Sequence, residues 1–245
     1  MFPQIKESHM SLPKNLFLIK IPLISLVLGI YSSSYAVQTL ALENTKSVKK
    51  LTITRQNIEE LGRIGKFSNL EELTIDCIQE LDRIPDDIGE LKNLKVLKMD
   101  CGNSGTMNPQ LPESLGRLLK LKELVLYGAQ DPSGEGRSSR VAPSTVRRKL
   151  PNSLINLKKL EKLNLGRNNY RAIPQVVFSM TGIKELVVEY NNITDLPKDL
   201  LRLPNLSKIV LNGNNKIICS VVKQAELTKQ FRNIELDFRN DYPCR

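Results

Sequence analysis

The stretch Leu160-Glu161-Lys162-Leu163-Asn164-Leu165-Gly166-Arg167-Asn168-Asn169-Tyr170-Arg171-Ala172-Ile173-Pro174 is followed, 23 residues from its start, by Ile183-Lys184-Glu185-Leu186-Val187-Val188-Glu189-Tyr190-Asn191-Asn192-Ile193-Thr194-Asp195-Leu196-Pro197. In both, apolar residues fall at positions one, four and six, an Asn at nine, and an apolar-Pro pair closes the stretch. Positions four and six are two apart and face the same way on a strand, while three, five and seven face the other way. A single unit of this kind cannot bury its own leucines. Stacked copies can, so the pattern asks for neighbours on both sides.

Working outward, the apolar spacing recurs as Val48/Leu51/Ile53, Leu70/Leu73/Ile75, Leu94/Leu97/Met99, Leu121/Leu124/Leu126 and Leu206/Ile209/Leu211, with Phe231/Ile234/Leu236 as a degenerate eighth copy. The starts are 22 to 27 residues apart except for one step of 39, between Leu121 and Leu160. A period of that size means a repeat array. Between the strands stand Ile84-Pro85, Leu111-Pro112, Leu150-Pro151, Ile173-Pro174 and Leu196-Pro197, each leading into a short apolar-periodic stretch. Proline suits the first helical turn, so each is expected to open a one- or two-turn helix on the outer side.

These motifs resemble the LxxLxLxxNxLxxLP consensus of leucine-rich repeats. The Leu-Pro variety is similar to plant disease-resistance-like and Scribble-like repeat domains and to exported repeat proteins of bacteria such as spirochaetes. The resemblance implies an α/β leucine-rich repeat solenoid, a horseshoe arc of about eight coils. A parallel β-sheet would line its concave face, with short helices or 3-10 turns on the convex face. It also implies an asparagine ladder between coils, which carries over to Asn168, Asn191 and Asn214; Gln56 and Ile78 stand at that position in the first two units.

The ends read differently. Lys14 and Lys20 precede the apolar run Ile21 to Ile30, and Ser34-Tyr35-Ala36 offers small residues where a signal peptidase cuts, so residues 1–36 are expected to be a signal peptide. The run is shorter than the ~20 residues a membrane span needs and contains Pro22. Residues 37–47 are then an N-terminal cap, 48–230 the repeats with an insertion loop at 128–149, and 231–245 a last degenerate repeat and C-terminal cap. Such a chain would be secreted, periplasmic or on the cell surface, with no stable membrane insertion. Cleavage would remove His9, the one histidine of the chain. Without it, Ser-His and Cys-His catalytic pairs and His-ligated zinc are excluded, so neither enzyme activity, cofactor nor metal is expected.

The cysteines pair by position. Cys77 and Cys101 both fall at position eight of their units, and Cys219 and Cys244 both at position fourteen. Equivalent residues of adjacent coils lie ~4.8 Å apart, which suits disulfides Cys77–Cys101 and Cys219–Cys244; free buried thiols are the alternative.

Two surfaces could bind a partner. On the concave face, Val125, Val187 and Val210 form an apolar column edged by Tyr127 and Tyr190, with Lys98 and Glu189 to orient a ligand. Such a stripe inside charged flanks resembles an interface core with its rim, although β-branched residues also suit strands for packing alone. Asp76 and Asp100 stack in adjacent coils as solvated carboxylates near Lys98. The other surface is the net basic insertion, with Arg137, Arg140, Arg147, Arg148 and Lys149, which could hold an anionic glycan or polymer. The expected function is non-catalytic binding of a protein ligand by a monomer, in the envelope or at a host. The alternative is glycan or anionic-polymer binding through the loop; nucleic acid is not expected.

Overall fold

The computed structural model describes residues 45–76, 78, 81–100, 109–128, 149–239 and 244. The chain divides into two units, Met1–Leu40 and Ala41–Arg245, and all described residues belong to the second. The expected signal peptide, most of the N-terminal cap, Cys77, Cys101 and the insertion arginines lie outside the described residues.

Eight strands, β1 (Lys50–Ile53), β2 (Glu72–Asp76), β3 (Val96–Asp100), β4 (Glu123–Tyr127), β5 (Lys162–Asn164), β6 (Glu185–Val187), β7 (Lys208–Val210) and β8 (Glu235–Asp237), form one open parallel sheet in sequence order. Leu51, Leu73, Leu97, Leu124, Leu163, Leu186 and Ile209 stand opposite one another from coil to coil. That is the alignment the apolar spacing requires, because a one-residue slip would turn every leucine to solvent. The fully buried residues Leu73, Ile75, Leu97, Met99, Leu124 and Leu126 show the result: each coil's inward pair is covered by the coils beside it. Truncating one of them to Ala would cost about 2–5 kcal/mol.

The last coil departs from the expected register. Leu236, not Ile234, stands opposite Ile209. Ile234, Leu236 and Phe238 alternate with period two, so a shift of two residues keeps the same face inward and the pattern alone cannot choose. The outer segment decides. Coil seven carries α-helices at Asn215–Ile218 and Val221–Gln230, and the Phe231 N–H donates to the Leu227 carbonyl at 2.8 Å, closing that helix instead of opening a new unit. Cys244 then falls at position twelve, no longer equivalent to Cys219 at fourteen. The two are nonetheless joined, with Cα atoms 5.4 Å apart.

The outer layer of coils two to six is made of five-residue 3-10 helices, Asp86–Glu90, Glu113–Arg117, Asn152–Asn156, Gln175–Ser179 and Lys198–Arg202. Each proline sits one residue earlier than expected, at the cap and not in the first turn. Pro85, for example, is extended (φ −62, ψ 147), and its carbonyl accepts from Ile88 N at 3.2 Å. The ring's fixed φ fits the extended cap as well as the helix, and the carbonyl becomes the helix's first acceptor. Coil one has no proline and uses Thr54 and Asn57 as a reciprocal cap for Arg55–Lys66.

Two asparagine rows tie the coils together. In the expected one, Asn168 Nδ2 donates to Leu126 O at 2.6 Å, and Asn214 Oδ1 accepts from Ile193 N at 2.9 Å. Asn191 accepts from Asn168 N (3.0 Å) and Tyr170 N (2.9 Å) and donates to Leu165 O and Val188 O (2.9 Å each). The second row was not foreseen. Asn69, Asn93 and Asn205, just ahead of their units, donate to Lys46 O (2.8 Å), Ser68 O (3.0 Å) and Thr181 O (2.9 Å) of the preceding coil.

Candidate binding surface

Positions three, five and seven of each strand face away from the core. Position three carries charges of alternating sign except at Val96 in coil three, and pairs Lys50 with Glu72 (2.9 Å), Lys162 with Glu185 (3.3 Å) and Lys208 with Glu235 (2.7 Å). Exposed pairs of this kind contribute about 0–1 kcal/mol each, so they favour the register more than they stabilise the stack. Lys98, at position five, lies 3.9 Å from Glu123.

Position five corrects the sequence reading. Val125, Val187 and Val210 are only 9%, 5% and 7% exposed. They lie between the charged row at position three and the row at position seven. An apolar stripe open to solvent is therefore absent there. These residues pave the sheet face and offer a partner little area.

What does stand at the surface is a row at the C-terminal ends of β4 to β7. Position eight is left-handed in four successive coils: Gly128 (φ 63), Arg167 (φ 56), Tyr190 (φ 51) and Gly213 (φ 68). At this position the chain leaves the strand. The backbone N–H of three of them reaches the position-seven carbonyl of the next coil: Gly128 to Gly166 (2.8 Å), Arg167 to Glu189 (2.9 Å) and Tyr190 to Asn212 (2.6 Å). Glycine adopts this conformation freely, whereas Arg and Tyr pay about 1–3 kcal/mol for it.

That conformation brings three side chains together. Arg167 Nε donates to Tyr127 Oη at 2.6 Å, and the guanidinium carbon lies 4.6 Å from the Tyr190 ring centroid and 5.7 Å from that of Tyr127. Both rings rest on glycines. A Cβ at Gly166 would come within 2.6 Å of the Tyr127 ring, and one at Gly213 within 2.3 Å of the Tyr190 ring. The Gly166 N–H is held by Asn164 Oδ1 at 2.8 Å, fixing the platform under Tyr127. Tyr127, Arg167, Glu189 and Tyr190 are all half-buried. Burial pushes the Tyr127 phenol up, while the Arg167 hydrogen bond pulls the other way. The row is rigid, aromatic and rich in hydrogen-bonding groups. Arg167 was missed in the sequence reading; the glycines at the same position in coils four and seven were the available signal for a left-handed turn.

The alternative surface is less defined. Of its five basic residues only Lys149 is described, and it is exposed. It borders a cleft of about 580 Å³ floored by Ile84, Leu111 and Leu150. At the cleft's rim Glu113 accepts from Asn152 N (3.1 Å) and Ser153 N (2.8 Å), which caps the next helical turn. Chiefly through Ser153, these bonds hold the Glu113 carboxyl below the usual range. Among the described residues no helix is long and apolar enough to cross a membrane.

Residues 153–216 match the family model described as leucine rich repeat. Over 155 residues, 58% of its length, the chain is 28% identical to TMV resistance protein N of Nicotiana glutinosa, of which it spans 13%. Among solved structures it is similar to an internalin of Listeria monocytogenes, with 18% identity, 81% of this chain and 56% of the other covered, and a TM-score of 0.48. It is also similar to a leucine-rich repeat protein of Leptospira interrogans, with 20% identity, the same coverages and a TM-score of 0.41. The chain thus spans a small part of the resistance protein and little more than half of the two solved chains.

Proposed function

We propose that this chain, whose residues 153–216 match a leucine-rich repeat model, is a non-catalytic binding module that holds a protein partner on its concave sheet face. The observation that carries the reading is the Tyr127–Arg167–Tyr190 row. Tyrosine and arginine dominate the energetic centres of protein interfaces. Here they are locked in place before any partner arrives, so little side-chain entropy is left to lose on binding. The anchors are Tyr127, Arg167 and Tyr190, with Lys98 and Glu189 at their margins.

Export belongs to the same proposal. The leader read at residues 1–36 would deliver the protein to an oxidising compartment, in keeping with the joined Cys219 and Cys244. The mass of the exported chain, expected to begin at Val37, tests that step.

The binding reading is tested by immobilising the chain and its Tyr127→Ala/Tyr190→Ala variant and comparing what each retains from envelope and host-cell extracts. A protein held by the native chain should bind the variant at least ~10-fold more weakly, about 1.4 kcal/mol. Equal retention by both would refute the concave site. A loss confined to high salt, with the tyrosine variant unaffected, would move the site to the basic insertion.

A further inference from the structure

We propose that the edge of the stack where each outer turn leads into its strand docks on an anionic lipid surface, independently of what the concave face holds. The coils are in strict register along this edge. The N–H groups of Glu71, Lys95, Lys122, Glu161 and Lys184 each donate to the position-two carbonyl of the preceding coil, at 2.7–2.8 Å. The turn just ahead repeats with one geometry. The N–H groups of Lys92, Leu119, Lys158 and Thr181 donate two residues back, to the carbonyls of Glu90, Arg117, Asn156 and Ser179, at 2.8–3.2 Å. Equivalent side chains therefore line up from coil to coil.

Most of what lines up is lysine. Position two and the two residues before each unit, taken over coils one to six, hold nine lysines against two glutamates. All nine lysines are exposed. Both glutamates are already shared: Glu71 pairs with Lys49 (3.4 Å) and Lys95, and Glu161 with Lys122 (3.9 Å) and Lys184 (3.1 Å). Lys46, Lys120, Lys158 and Lys159 have no carboxylate within ion-pair distance among the described residues. The edge thus presents an uncompensated positive strip, which calls for an anionic partner.

A second, independent observation selects the kind of anion. In coil four the turn residue equivalent to Lys92 and Lys158 is Leu119, and it is 59% exposed. Ile155, three residues ahead of Lys158, is 39% exposed. A sulfated glycan would meet the lysines but offers these apolar side chains nothing. An anionic bilayer offers headgroups to the ammonium groups and, just beneath them, an acyl boundary for Leu119. The shape agrees. Bending of a coil stack curves its inner and outer faces, whereas an edge runs along the side of the arc. Six coils, spanning about 24 Å at five strand spacings, can then rest on one plane. The Tyr127–Arg167–Tyr190 row stands at the other, C-terminal ends of the strands, so a protein docked this way holds that row away from the lipid.

The full chain is mixed with vesicles of phosphatidylcholine, alone or with ~30% phosphatidylserine, at ~0.15 M salt, and binding is read by co-flotation. The anionic vesicles should bind and the neutral ones should not. Lys120→Glu/Lys158→Glu/Lys159→Glu should weaken binding at least ~10-fold. Lys198→Glu/Lys216→Glu/Lys229→Glu makes the same change in net charge at exposed sites of coils six and seven, and should weaken it less than ~3-fold. Leu119→Ser should weaken vesicle binding about fivefold and leave unchanged the binding of dextran sulfate, an anionic polymer with no apolar phase. All these substitutions fall on exposed residues, and an unchanged melting temperature confirms the fold. Equal binding to the two kinds of vesicle, no binding to the anionic ones, equal losses in the two charge variants, or vesicle binding indifferent to Leu119→Ser would overturn the inference. Tyr127→Ala/Tyr190→Ala should bind vesicles as the native chain does, so failure of the concave-face reading and failure of this one are told apart.

Discussion

Asn191→Ala should be among the most damaging single substitutions outside the leucine core. The side chain is 5% exposed and serves five backbone groups across two coils. Truncation removes the acceptor for Asn168 N and Tyr170 N and the donor to Leu165 O. Val188 O and Glu189 O are spared, because Asn214 Nδ2 and Arg167 N also donate to them, at 2.9 Å each. Three buried backbone groups thus lose this partner at about 1–3 kcal/mol each, and partial rehydration sets the total near 3–6 kcal/mol. That is a large fraction of the ~5–15 kcal/mol available to a typical domain. The assay is urea unfolding followed by circular dichroism, with Gln56→Ala as the comparison. Gln56 occupies the same repeat position in coil one but is exposed, and its removal should cost less than about 0.5 kcal/mol. A cost below about 1 kcal/mol for Asn191→Ala, or equal costs for the two variants, would refute the ladder as a stabilising device.

Glu113→Gln tests the cap between coils three and four. Because hydrogen bonds to Ser153 and Asn152 lower the folded pKa, the carboxylate's contribution is present above the unfolded value and is lost as pH falls through the folded one. The variant should melt lower at pH 7, by about 0.5 kcal/mol for so exposed a group, and coincide with the native chain in strong acid; a difference that persists there would contradict the sign. Cys244→Ser should remove roughly 3 kcal/mol from the end of the stack, so that amides from Ile209 to Leu236 exchange faster while those of β2 to β4 do not. Uniform acceleration, or none, would show that the bridge does not act as a terminal clamp.

Much of this architecture was legible because repeat proteins are nearly one-dimensional. Side-chain alternation along a strand is local, and stacking demands that equivalent positions align, so the leucine spacing by itself fixed the pairing of β1 through β7, while the asparagine ladder followed from the resemblance to leucine-rich repeats. The same periodicity failed at β8: Ile234, Leu236 and Phe238 satisfy either of two registers, and the helix Val221–Gln230 with its Phe231 closure chose between them. The binding row depended still more on tertiary structure. Whether Val125, Val187 and Val210 are open or covered is decided by what flanks them across coils. Arg167 meets Tyr127 and Tyr190 only because its backbone turns left-handed and places its side chain between residues 40 positions before it and 23 after it. Periodicity specifies which side chains face inward. Contacts among the outward ones depend on backbone turns and neighbours that no local pattern encodes.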